Sequence, residues 1–246
     1  MDVGFSVKRF TGVLALIIGA LTLAHVVQHT CTKTQGCGTL TGPLNRYGWL
    51  LDLNQEQNIP TWYASSQLFL CAGVLALIAL GAWHEQSALA SRWSVLTLVF
   101  LYLSLDEATD LHGLWREALP NDYRISGTAD AAFSWMIPGA LLVVLGALFF
   151  RSFVFRLPGR TRQWFIVAGG VYITGVLGLE AVGSVLADDT WVNTSYFVVS
   201  TLEEVLEMVG ILIFLYALLA YLERQGLRFH IGTAVPTEHV ATQATP

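Results

Sequence analysis

The apolar residues of this chain form long, nearly continuous runs, unlike the one-sided patterns of soluble helices and strands. A helix that spans a membrane needs roughly 20 mainly apolar residues. Six segments reach that length, at about 10–29, 62–83, 93–112, 132–150, 163–187 and 196–222. The pattern therefore predicts an all-α fold, an integral membrane bundle of six transmembrane helices.

Composition agrees with a membrane setting. The chain has 246 residues, of which 54% are hydrophobic and only 13% are charged, and a soluble domain of this length would carry many more charges. The net charge of −5 and the lack of a basic face argue against binding to nucleic acid. Membrane lipid is therefore the expected surrounding partner, and the sequence leaves the oligomeric state open.

The distribution of Lys and Arg predicts the orientation. With a cytoplasmic N-terminus, nine of these residues fall in cytoplasmic segments and four in outer ones. Since Lys and Arg are enriched in short cytoplasmic loops, both termini are predicted to be cytoplasmic. The transmembrane domain then covers 1–230 with an outer loop at 30–61, and 231–246 is predicted to be a disordered cytoplasmic tail.

The cysteines and small residues support this arrangement. Cys31 and Cys37 lie close together in the outer loop, where an oxidising environment favours a disulfide, with two free thiols as the alternative. Cys71 falls inside the second span and is predicted to be a buried apolar residue. Pro60 fits the first turn of that span. Glycines from Gly169 to Gly183 predict close helix packing in the fifth span.

Two short acidic segments interrupt the apolar helices and match position for position. They are Leu105-Asp106-Glu107-x-x-Asp110 and Leu202-Glu203-Glu204-x-x-Glu207. An ionised side chain costs several kcal/mol at the centre of a bilayer, so such residues usually face the bundle interior, a metal, a proton path or each other. The i, i+4 pairs within each segment share one helix face.

Depth brings further ionisable residues to the same level. At about 1.5 Å per residue, Asp106 and Glu203 each lie roughly 10 Å below the outer ends of their spans. Glu180 has nearly the same depth, and His25 and His29 lie at the outer end of the first span. The match could derive from a duplicated, inverted three-helix unit, but both segments are predicted to be outer, which favours local convergence.

Carboxylates and imidazoles on facing helices are the ligands of dinuclear iron or manganese sites in helix bundles. The chain lacks a strict Glu-x-x-His motif, and structural hydrogen bonding is the alternative role for these residues. We predict a divalent metal site of one or two ions, iron or manganese ahead of zinc. The predicted ligands are His25, His29, Asp106, Glu107, Asp110, Glu180, Glu203, Glu204 and Glu207, with His112 as a further candidate.

This site predicts a metal-dependent membrane enzyme that acts on a lipid, a quinone or another apolar small molecule. The alternatives are a cation- or proton-coupled transporter that uses the same carboxylates, and an accessory subunit of a membrane complex. Few polar residues lie on the cytoplasmic side of the acidic segments, which favours a one-sided site over transport. No phosphate loop, His-Glu-x-x-His, haem-attachment motif or serine nucleophile elbow is present, so no catalytic residue is identified.

Two motifs resemble a known family. The stretch Glu56-x-x-Ile59-Pro60-Thr61-Trp62-Tyr63-x-Ser65-Ser66, followed by Leu103-Ser104-Leu105-Asp106-Glu107 and His112, resembles an uncharacterised bacterial family of multipass membrane proteins. The resemblance covers about half of the chain. It implies a location in the bacterial inner membrane and supplies no activity.

Overall fold

The computed structural model describes residues 6–111, 130–186 and 193–225, with the backbone alone for 130–135. Within these residues the chain is helical and contains no strand. The helices are α1 (Val7–Thr34), α2 (Thr41–Tyr47), α3 (Ile59–His84), α4 (Ala90–Thr109), α5 (Asp130–Arg156), α6 (Gly159–Ile173), α7 (Glu180–Leu186) and α8 (Thr194–Gln225). A π-helical segment, Thr174–Leu179, joins α6 to α7. His112 and the predicted tail at 231–246 lie outside the described residues.

Five helical stretches are long and apolar enough to cross a membrane. They are Val7–Thr34, Ile59–His84, Met136–Arg156, Gly159–Leu186 and Thr194–Gln225. Large apolar side chains on these stretches remain uncovered by protein, such as Leu16 at 75% exposure and Leu142 at 68%. Exposure of so large an apolar surface to water is unfavourable. The five stretches therefore indicate a multipass integral membrane protein.

The remaining predicted span, 93–112, corresponds to α4, which is not among these five stretches. This helix has 20 residues, and Arg92, Asp106 and Glu107 lower its hydropathy. It nevertheless packs along α3 more extensively than any other pair of helices in the described part of the chain. The six-span count and the cytoplasmic placement of both termini therefore remain predictions.

Helix α8 lies at the centre of the described bundle, where it contacts α1, α3 and α6. Met208, Leu215 and Leu218 of α8 are no more than 1% exposed, so protein surrounds this helix on several sides. Cys71 of α3 is fully buried against α8, with its sulfur 3.9 Å from the carbonyl oxygen of Ile211. The prediction of a buried, apolar role for Cys71 is confirmed.

Aromatic side chains close one end of the bundle, where α4 begins and α8 ends. The Trp93 ring is 4.7 Å from the Phe153 ring, 6.1 Å from the Phe165 ring and 5.3 Å from the Tyr221 ring, measured between centroids. Trp93 is 1% exposed. We call this the aromatic end, and the opposite end, where α4 ends and α8 begins, the acidic end.

The predicted outer loop at 30–61 is largely folded. Helix α1 continues to Thr34, and Cys31 and Cys37 form a disulfide with their Cα atoms 5.3 Å apart. Helix α2 and a short 3₁₀ turn, Gly48–Leu51, follow. We call residues 48–58 the cap segment, because they lie at the acidic end between α1, α3 and α8.

Asn58 joins the cap segment to α3. Its side-chain oxygen accepts a hydrogen bond from the Thr61 N–H at 3.1 Å, which caps the helix. Its amide nitrogen donates to the carbonyl oxygens of Trp49 and Asp52. Pro60 lies in the first turn of α3, as predicted. One buried side chain therefore fixes both the start of α3 and the shape of the cap segment.

Candidate functional site

Six glutamates at the acidic end lie close enough for their charges to interact. One comes from the cap segment, one from α4, one from the first position of α7 and three from α8. We call them the acidic layer: Glu56, Glu107, Glu180, Glu203, Glu204 and Glu207. Five of these six residues were predicted from the sequence as site residues, and Glu56 was not.

Two carboxyl groups of this layer connect α7 to α8. The side chains of Glu180 and Glu203 approach closely enough for a hydrogen bond. Two carboxyl groups can form such a bond only when at least one of them carries a proton, since two carboxylates offer acceptors alone. Glu207 lies next to this pair, since its charge acts on Glu203 and the charge of Glu180 acts on Glu207. The pair can therefore hold and exchange a proton.

Gly175 allows the backbone of the π-helical segment to approach that of α8 at the acidic layer. A Cβ atom built on Gly175 would lie 3.0 Å from the backbone oxygen of Glu203 and 2.9 Å from Cγ of Glu207. At Gly169 and Gly170 a built Cβ meets nothing within 4 Å. The predicted glycine packing of this span is therefore present at Gly175 and absent at Gly169 and Gly170.

Tyr172 of α6 is a polar neighbour of the acidic layer that sequence reasoning missed. The charges of Glu207, Glu107, Asp106 and Glu204 all act on its phenol group. The Tyr172 backbone also packs directly against Gly210 of α8. Its sequence position, eight residues before Glu180, places it about two helical turns from that carboxyl group, and this spacing was the only available signal.

The two predicted site histidines, His25 and His29, contact residues outside the acidic layer. His25 is 2% exposed, and its Nδ1 accepts a hydrogen bond from the Leu53 N–H at 3.1 Å. Its Nε2 is 3.2 Å from the Thr201 hydroxyl oxygen. The His29 ring stacks on Phe197 with centroids 3.7 Å apart. Both nitrogens of His25 therefore have protein partners, and neither is directed at the glutamates.

The aspartates of α4 occupy the last turn of that helix and the residue that follows it. Asp106 is half-buried, and its charge acts on Tyr172. Asp110 follows the end of α4 in a left-handed conformation with φ of 52°, which Asp tolerates better than most residues. Asp106 therefore lies near Tyr172 beside the acidic layer, and Asp110 directly follows the end of α4.

The arrangement supplies oxygen donors but no ready metal centre. Among residues 6–111, 130–186 and 193–225, no three His, Cys, Asp or Glu side chains are placed so that they could hold one metal ion. Carboxylate oxygens suit hard divalent cations. The donor type therefore fits the predicted metal, whereas the described geometry does not bring a full ligand set together.

A groove of about 520 Å³ lies between α3 and α4 near the acidic end. Trp62, Ser65, Ser66, Phe69, Leu70 and Ser104 line it. The Ser65 and Ser104 hydroxyl groups each donate to the other residue's backbone carbonyl oxygen, at 2.7 and 2.9 Å. These bonds satisfy the serine hydroxyl groups and leave a mainly apolar lining, in which Trp62 and Phe69 are exposed.

Comparison with known proteins identifies the family. Residues 12–222 match the family model described as a domain of unknown function, DUF8692, so the chain belongs to that family. This agrees with the resemblance to an uncharacterised family, and the bacterial inner-membrane location remains a prediction. No curated protein and no solved structure matches the chain.

Proposed function

Because the family brings no activity with it, we propose a function from the acidic layer: this chain is a multipass membrane transporter that binds and releases protons on these carboxyl groups. The observation that carries the proposal is the close approach of the Glu180 and Glu203 carboxyl groups, one on α7 and one on α8. A hydrogen bond between two carboxyl groups requires a proton on one of them. Intramembrane carboxyl groups of this kind mark proton and ion pathways.

The crowding of six glutamates supports proton sharing. Adjacent carboxylates repel one another strongly away from bulk water, so a layer of this kind holds protons or cations. Interacting acidic groups lose their protons as a set and not one by one. Glu203, Glu204 and Glu207 lie on one helix and interact with partners from three other elements, which makes α8 the common element of the layer.

The packing at the aromatic end sets a requirement for the proposed transport cycle. The Trp93 ring packs against the rings of Phe153 and Tyr221 at the end of the bundle opposite the acidic layer, and few polar residues lie between. Transport requires a second conformation in which this aromatic packing opens.

Infrared spectroscopy tests the shared proton directly. A protonated carboxyl group absorbs at a frequency distinct from that of a carboxylate, and we expect a protonated band near neutral pH in the wild-type protein. Glu203→Gln should remove intensity from this band, whereas Glu223→Gln should not, because Glu223 is exposed near the other end of α8. A spectrum that Glu203→Gln leaves unchanged argues against the proton pair.

Reconstituted vesicles test transport itself. With a pH-sensitive dye inside and a proton gradient across the membrane, wild-type protein should carry protons faster than protein-free vesicles. Glu180→Gln and Glu203→Gln should lower the rate to that background, while Glu223→Gln keeps the wild-type rate. If wild-type protein also shows only background flux under every gradient and potential applied, the transporter proposal is rejected.

A metal-dependent membrane enzyme is the second candidate. It is supported by the interaction of Glu107 with Glu204 and Glu207, which brings oxygen donors together from α4 and α8. The apolar groove between α3 and α4 would suit a lipid or quinone substrate. Metal analysis of purified protein, with Glu203→Ala and Asp106→Ala as variants, tests it. Stoichiometric metal that both variants lose supports the enzyme, and metal-free preparations reject it.

A further inference from the structure

The turn between α5 and α6 concentrates positive charge at the aromatic end. Four arginines occur within the twelve residues 151–162, and no acidic residue occurs between Asp130 and Glu180. We call residues 151–162 the basic turn, and its arginines are Arg151, Arg156, Arg160 and Arg162. The acidic residues described at the same end, Glu85 and Glu223, belong to the ends of α3 and α8. The basic turn therefore contains no carboxylate that could neutralise its charge.

Buried side chains hold the basic turn in a fixed position. Phe153 and Leu157 are buried, as is Phe165 one turn further along α6. The rings of Phe153 and Phe165 both pack against Trp93. Because these apolar residues occupy the core side, the arginines at 151, 156 and 160 are exposed on the other side. The turn therefore presents positive charge from a rigid backbone.

Further donors for an anionic ligand lie at the same surface. Nη1 of Arg162 lies 3.5 Å from the Phe155 carbonyl oxygen, and Nη1 of Arg92 donates to the Phe149 carbonyl oxygen at 3.0 Å. A guanidinium group has several N–H donors, so each arginine keeps some for a ligand. Pro158 precedes α6 and supplies no side-chain cap, so the N–H groups of the first turn of α6 add to these donors.

The basic turn joins two membrane spans. Met136–Arg156 and Gly159–Leu186 are both long and apolar enough to cross a membrane, so the turn between them lies at the level of the lipid headgroups. Apolar side chains next to the turn are uncovered by protein, with Phe155 at 61% exposure and Trp164 at 38%. Positive charge beside exposed apolar surface matches the two parts of a phospholipid, a phosphate headgroup and acyl chains.

We propose that the basic turn binds an anionic phospholipid from the membrane leaflet at the aromatic end. Arg156 and Arg160 bind the phosphate group, and Phe155 and Trp164 contact the acyl chains. Charge complementarity decides the partner, because arginines near the membrane surface attract anionic lipids, whereas a zwitterionic headgroup has no net charge. This inference is independent of the proposed transport, because the basic turn contains no residue of the acidic layer.

Lipid binding to the purified full-length protein in detergent tests the proposal. Phosphatidylglycerol or phosphatidylcholine is titrated into the micelles, and the lipid bound to the protein is counted by native mass spectrometry. Wild-type protein should bind phosphatidylglycerol about tenfold more tightly than phosphatidylcholine. Each arginine near an anionic surface contributes about fivefold, so the double variant Arg156→Gln with Arg160→Gln should bind phosphatidylglycerol about 25-fold more weakly. The double variant Arg156→Lys with Arg160→Lys keeps the charge and should retain most of the affinity.

Arg46→Gln is the matched control for the single variant Arg160→Gln, because Arg46 is an exposed arginine of α2, far from the basic turn in the outer loop. Arg46→Gln should bind phosphatidylglycerol as wild-type protein does, and an equal loss in both variants overturns the placement of the site. Equal binding of the two lipids by wild-type protein overturns the proposal without any variant. Excess glycerol phosphate should not displace the lipid, and displacement would assign the turn to a free phosphate compound instead.

Discussion

The contact between Gly210 and Tyr172 gives a sharp prediction about how α6 and α8 are held together. A Cβ atom built on Gly210 would lie 2.8 Å from both the Cβ and the backbone nitrogen of Tyr172, and 2.9 Å from its Cα. None of these atoms can move away by side-chain rotation. The substitution Gly210→Ala must therefore move α6 and α8 apart next to the acidic layer.

The size of the effect follows from two opposing contributions. Overpacking costs typically about 1–3 kcal/mol, and contact with backbone atoms places this site at the upper end. Ala within a helix is favoured over Gly by up to about 1 kcal/mol, which offsets part of the cost. We expect Gly210→Ala to lower the free energy of unfolding by about 2 kcal/mol, roughly thirtyfold in the unfolding equilibrium.

Unfolding of the purified protein in detergent measures this difference. Gly169→Ala, on the same pair of helices, is the matched control, since its built Cβ meets nothing within 4 Å. That variant should be as stable as wild-type protein or more stable by up to about 1 kcal/mol. If Gly210→Ala is as stable as Gly169→Ala, the two helices are not in the contact described, and the reasoning is wrong.

Two further predictions concern the outer loop. Because Cys31 and Cys37 are bridged and Cys71 is buried, native protein should expose no reactive thiol. Protein that is denatured without reduction should expose one thiol, that of Cys71. Thiol labelling followed by mass spectrometry measures this number, and three labelled cysteines would refute the prediction. Asn58→Ala should cost about 1–2 kcal/mol through loss of the α3 cap, with a further cost from the cap segment; a change below about 0.5 kcal/mol in chemical unfolding would contradict this.

The positions of most helices were predictable from the sequence. The predicted span at 62–83 falls inside α3, Ile59–His84, and the span at 196–222 falls inside α8, Thr194–Gln225. Long apolar runs mark the membrane segments, and these two helices extend beyond the predicted spans by one to three residues at each end. Helix α4 was harder, because its charged ends reduce the difference between a membrane span and a packed surface helix.

The partners of the site residues were not predictable to the same degree. The rise per residue placed His25 and Glu203 at similar depths, but depth says nothing about direction across the bundle. The structure turns His25 toward Leu53 and Thr201, and Glu203 toward Glu180. Which groups meet depends on helix rotation, and rotation depends on packing between distant segments.

The π-helical segment that precedes Glu180 has a consequence for how the acidic layer can change. A π-helical turn holds one more residue than an α-helical turn, so converting it back would rotate everything beyond it by roughly 100°. Glu180 is the first residue beyond the segment Thr174–Leu179. A conversion confined to these six residues would therefore rotate the Glu180 carboxyl group about the helix axis and away from Glu203. Neither α7 nor α8 would have to change its position in the membrane.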